Sequence, residues 1–118
     1  MTLLPNAPDE GEGADKTSRL YNQLALYVEV RADYAMSERL KRRALAIGEA
    51  ADGPDHPTVA VNLNNLATLL QDTNRLAEAE PLMRRAARIF EASLGPVHPN
   101  TQTVRRNLDA LLTQIAHS

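Results

Sequence analysis

Gly53-Pro54-Asp55-His56-Pro57 and Gly95-Pro96-Val97-His98-Pro99 are one loop written twice, 42 residues apart. Such a loop stops one helix and starts another. Glycine suits the position after a helix end, where a positive φ is needed. Proline, with its fixed φ and missing N–H, suits the first helical position. The chain laid over itself at this shift matches well beyond the loops. Ala35, Glu38, Leu40, Arg42, Arg43, Ala44, Ile47, Glu49 and Ala50 meet Ala77, Glu80, Leu82, Arg84, Arg85, Ala86, Ile89, Glu91 and Ala92. Downstream, Asn65, Leu66, Leu69 and Leu70 meet Asn107, Leu108, Leu111 and Leu112, and Leu24-Ala25 meets Leu66-Ala67.

Each unit reads as two helices. Val59, Leu63, Leu66, Ala67 and Leu70 fall on one face of a first (A) helix. Asp72-Thr73-Asn74-Arg75 breaks it, because short polar side chains favour turns and caps. A second (B) helix carries Leu76, Ala79, Leu82, Met83, Ala86, Ala87, Ile89 and Phe90. Pro81 is expected near its first turn or at a mild kink, since an interior proline costs about 3 kcal/mol. The expected helices are A1 over 16–31, B1 over 34–51, A2 over 58–72, B2 over 76–93 and A3 over 100–116. Residues 1–15, rich in Pro, Gly and acidic residues, are expected to be a disordered tail before a domain over 16–117.

Composition narrows the function classes. Aromatics are 3% of the chain, so Leu, Ala, Ile and Val must build the core. The net charge of −2 argues against nucleic acid, which basic surfaces bind. Arg39-Leu40-Lys41-Arg42-Arg43 and Arg84-Arg85 are basic, but Glu38 and Glu80 stand four residues before Arg42 and Arg84, the spacing of an ordinary paired helix surface. With no cysteine there is no disulfide or thiolate chemistry. No apolar run approaches the ~18 residues that would span a membrane. The expected location is cytoplasmic, with no membrane partner. No phosphate loop or catalytic constellation is present, and the chain reads as a non-enzyme without cofactors. His56 and His98 suggest a metal, but successive repeats lie about 10 Å apart, while metal–nitrogen bonds are about 2 Å. A loop-fixing hydrogen bond or cap is the expected role for each.

The unit resembles the tetratricopeptide repeat. Asn65-Leu66-Ala67, Leu76, Ala79, Ala86 and Ile89 match its packing positions, with Ala67, Ala79 and Ala86 letting the helices approach closely. The period exceeds the usual one of about 34 residues. With Leu63-Asn64-Asn65-Leu66-Ala67 and the Gly-Pro-x-His-Pro loop, it is similar to the kinesin light chain subtype. The resemblance implies an all-α fold: a right-handed superhelical stack of antiparallel helix pairs, about two and a half repeats. It further implies a protein-interaction module whose A helices line a concave face for a partner protein or peptide.

Gln23, Asn65 and Asn107 share one register position, one per repeat. Each amide offers both donor and acceptor to a bound backbone. In the kinesin light chain family, Asn residues of this motif contact peptides. Asn65 and Asn107 match that motif, and Gln23 departs from it. Asn64, Thr68, Gln71 and Arg106 are expected beside them, with Arg105 at the rim. The opposing view is that Asn65 and Asn107 only tie neighbouring helices together. The Lys/Asn/Arg set of the family's carboxylate clamp is missing, which disfavours a free chain terminus as ligand.

The two ends of the stack differ. A3 offers Leu108, Leu111, Leu112 and Ile115 inward, with Arg105, Arg106, Asp109 and Gln114 as a polar outer side. In A1, Leu20, Tyr21, Leu24, Leu26, Tyr27 and Val28 are apolar over more than one face. The alternative function is therefore self-association or scaffolding through helix 16–31, or docking of that helix onto other repeats of a larger regulatory assembly, with self-association sensitive to charge at Tyr21 or Leu24.

Overall fold

The computed structural model describes residues 11–118. The helices are α1 (Gly11–Val30), α2 (Tyr34–Asp52), α3 (Pro57–Asp72), α4 (Leu76–Leu94) and α5 (Pro99–Ala116). The spans expected for the last four lie inside the observed helices. The first differs, because α1 begins at Gly11 rather than near 16. Residues 11–15 are thus helical and not tail. Residues 1–10 of the expected tail lie outside the described residues.

α1 packs on α2 and α3 on α4, while α2 meets α3 and α4 meets α5, so the chain is a stack of two helix pairs plus a final A helix. Within each pair the turn closes identically. Asp33 N–H donates to Val28 O at 2.9 Å and Arg75 N–H to Leu70 O at 2.7 Å. The residue before each donor, Ala32 or Asn74, takes φ 62°. This is the Schellman closure with a left-handed residue. Between pairs, Gly53 (φ 89°, ψ 161°) and Gly95 (φ 87°, ψ 162°) end α2 and α4. That region of backbone space is open to glycine almost alone.

The histidines act as caps. His56 Nδ1 accepts from Thr58 N–H and His98 Nδ1 from Asn100 N–H, both at 3.1 Å. Pro57 and Pro99 each open the helix that follows. Pro81 lies inside α4, past the first turn. It is exposed, and so is Ala77, whose carbonyl loses the usual helical donor.

Leu63, Leu66, Leu70, Met83 and Leu111 are fully buried, as are the small residues Ala67, Ala79 and Ala86. These belong to one core that runs through α3, α4 and α5. A second, polar contact joins the first unit to the second. Asn62 Nδ2 donates to Ser18 Oγ at 2.9 Å and to Ala44 O at 3.1 Å. Asn22 Nδ2 donates to Asn62 Oδ1 at 2.7 Å. Among the described residues, no helix is long and apolar enough to cross a membrane.

Candidate functional site: the face of the A helices

α3 and α5 are joined by amide-to-amide hydrogen bonds along one face, while α1 meets α3 through the Asn22–Asn62 pair at the buried seam. Asn107 Nδ2 of α5 donates to Asn64 Oδ1 of α3 at 3.1 Å. Gln71 Nε2 of α3 donates to Gln114 Oε1 of α5 at 2.9 Å. Thr68 is half-buried, its hydroxyl donating to Asn64 O of its own helix at 2.8 Å. Arg106 is exposed, and its guanidinium reaches Thr103 Oγ1 at 3.4 Å.

These contacts redraw the expected ladder. Gln23, Asn65 and Asn107 share a register, but the bonded pair is Asn64–Asn107. The described bonds leave the Gln23 and Asn65 side chains out. Gln23 is exposed, and Asn65 engages through its backbone carbonyl, which accepts from Lys41 Nζ at 3.3 Å. Lys41 also pairs with Glu29 at 3.0 Å. Arg105 points away from the A-helix face, toward Glu91 of α4 at 3.6 Å. The basic stretches of the B helices are largely paired as their spacing suggested: Glu38–Arg42 at 3.0 Å and Glu80–Arg84 at 2.8 Å.

Both amide pairs keep unused capacity. Each bond consumes one donor on one amide and one acceptor lone pair on the other. Asn64 retains its NH₂ and Asn107 its carbonyl, and Gln114 and Gln71 divide in the same way. Next to Asn64, a shallow cleft opens between α3 and α5. It is lined by Val61, Phe90, Asn100, Thr103 and Val104. Val61 is exposed to 43%, so apolar surface lies directly beside free amide groups.

Three features of this face went unread in the sequence. Gln114, expected on the polar outer side of A3, bonds across to Gln71. Val61 and Thr103 occupy equivalent positions and were not singled out. Asn62 was not recognised either, although it falls on the Val59, Leu66 and Leu69 stripe and its equivalents Leu20 and Val104 are apolar. A lone amide in an apolar stripe is the signal that could have found it.

The sequence model of the tetratricopeptide repeat family matches residues 16–92 and, again, 62–115. No curated protein matches the chain. Among solved structures, it is similar to the crystal structure of BtubC (BKLC) from P. vanneervenii, with 21% identity and a TM-score of 0.78. That alignment covers 88% of this chain and 41% of the other, so the chain spans less than half the length of its structural neighbour. The likeness shows a shared fold. Repeats of this family are in general non-catalytic protein-interaction modules. With five helices among the described residues in that stack and family matches running from residue 16 to residue 115, the chain belongs to the tetratricopeptide repeat family.

Proposed function

We propose that the chain binds a partner protein or an extended peptide on its A-helix face, as the concave face of such a stack. The observation that carries this reading is the row of amides bridging α3 and α5 beside the Val61 cleft. A peptide backbone presents donors and acceptors in alternation, and an amide half-used by its neighbour still offers the complementary half. An apolar side chain of the ligand would enter the cleft. Asn64, Asn107 and Gln71 contact the ligand backbone, while Gln23, Asn65, Thr68 and Arg106 flank the groove. With so few repeats the groove is short, and affinity in the micromolar range is expected.

The test is selection of ligands from a displayed peptide library, followed by titration calorimetry of the selected peptide. The Asn64→Ala/Asn65→Ala double variant should keep its helical content and bind about tenfold or more weakly. Equal affinity for both proteins would remove this face as the site.

A further inference from the structure

The repeat supplies its own standard for what each position should look like when covered. Tyr27 of α1, Leu69 of α3 and Leu111 of α5 are equivalent at the 42-residue shift. Leu69 is 2% exposed and Leu111 0%, whereas Tyr27 is 60% exposed. The same change runs along α1. Leu20 is half-buried where Asn62 and Val104 are buried, Leu24 is half-buried where Leu66 is buried and Leu108 is half-buried, and Arg31 is exposed where Thr73 and Ile115 are half-buried. Leu20, Leu24 and Tyr27 recur at i, i+4 and i+7, the spacing that seats one helix against another, and Arg31 follows in the turn just past the end of α1. Tyr34, 47% exposed, opens α2 next to this stripe, and the Arg31 guanidinium sits over the Tyr27 ring at 5.8 Å. The exposed pair is therefore Tyr27 with Leu26, rather than Tyr21 and Leu24, which are half-buried.

The other end of the stack is closed. Gln102, Arg105 and Asp109 of α5 are exposed at the positions where α3 buries Ala60, Leu63 and Ala67. Head-to-tail association would press these polar groups against the apolar stripe. Association of two stripes is apolar on both sides and closes at two chains, as an isologous contact must.

We propose that this face of α1 docks on the same face of a second copy of the chain, with the two α1 helices antiparallel. The midpoint of the stripe falls between Leu24 and Tyr27. Each Tyr27 ring then packs on the partner's Leu24, and each Arg31 stem on the partner's Leu20. The surface is separate from Asn64, Asn107 and Gln71, so dimerisation and peptide binding fail independently.

The experiment is sedimentation equilibrium of the full chain across the micromolar range, with circular dichroism of each variant. The wild type should reach the mass of two chains. Tyr27→Glu and Arg31→Glu change exposed side chains, so helical content should hold while dimerisation weakens by about tenfold or more. Tyr27→Leu should stay dimeric, and Asn64→Ala should dimerise like the wild type. A wild type that remains a single chain throughout overturns the proposal. So does a dimer that both charge variants leave intact.

Discussion

Arg75, the residue just before α4, donates both terminal guanidinium nitrogens to the carboxylate of Glu38 on α2. Its Nε reaches Glu78 Oε2 at 2.7 Å. One side chain thus fastens the second pair to the first at a point away from the core. The Arg75 hydrogen bond is the main reason the Glu38 carboxyl titrates below its ordinary 4.5, with Arg42 assisting and burial opposing. Glu78 is lowered by the same guanidinium, and Arg75 itself is raised.

A carboxyl depressed in the folded state contributes its stability above its unfolded pKa and loses it as pH falls through the folded value. The melting temperature should therefore drop as pH is taken from neutral to well below 4.5. Arg75→Met should lower the melting temperature at neutral pH and make the acid drop smaller. Parallel curves for the two proteins would show that Glu38 draws nothing from Arg75.

Two backbone positions should respond in opposite directions. A Cβ on Gly95 would meet nothing within 4 Å, so space is not the obstacle to Gly95→Ala. The φ of 87° is, and the substitution should cost about 1–3 kcal/mol. Ala32 already pays for φ 62° where the equivalent turn uses Asn74. Ala32→Gly should stabilise by about 0.5–1 kcal/mol in chemical denaturation. The same sign for both would mean the turns relax freely.

The histidine caps should be separable from any ligand role. His56→Ala and His98→Ala should each cost about 1 kcal/mol, while His56→Asp should retain most of the stability. The two losses should add, since the sites share no partner. A loss much larger than that of an ordinary cap would point to something else bound at the loop.

Gly48 and Asn62 should be coupled. A Cβ at Gly48 would stand 3.0 Å from Asn62 Nδ2, which its bonds to Ser18 and Ala44 hold in place. Gly48→Ala should destabilise despite the gain of up to about 1 kcal/mol in helix propensity. Asn62→Val alone should cost about 1–3 kcal/mol, since it strips the partner from Asn22. In the Asn62→Val background, Gly48→Ala should become neutral or favourable. Additive effects in this double-mutant cycle would contradict the contact.

The fold was legible because the Gly-Pro-x-His-Pro loop marks where helices stop and start, and the shifted identities fix the packing faces. Ala67, Ala79 and Ala86 could be placed at close helix contacts from the resemblance to the tetratricopeptide repeat. The start of α1 was not legible, because Gly11-Glu12-Gly13 resembles a tail in composition. The amide pairing was half legible. Register puts Asn65 beside Asn107, but neighbouring A helices do not meet in register. Asn107 bonds back to Asn64, and Asn22 reaches Asn62. That offset is a property of how helices pack, and a linear comparison of repeats does not contain it.

The two junctions in this stack are built from different parts. The first sets Gly48 against the hydrogen-bonded Asn62. At the second, the same two positions hold Phe90 and Val104, both in the apolar core. Copying the second unit once more would bring a Phe90 up against an Asn62, forcing a large ring onto an amide whose Ser18 partner is replaced by the equivalent Ala60. Deleting the first unit would leave Asn62 facing water at a raw edge. The array is thus not a string of interchangeable modules that recombination could lengthen or shuffle at will: the order of its units is written into their seams.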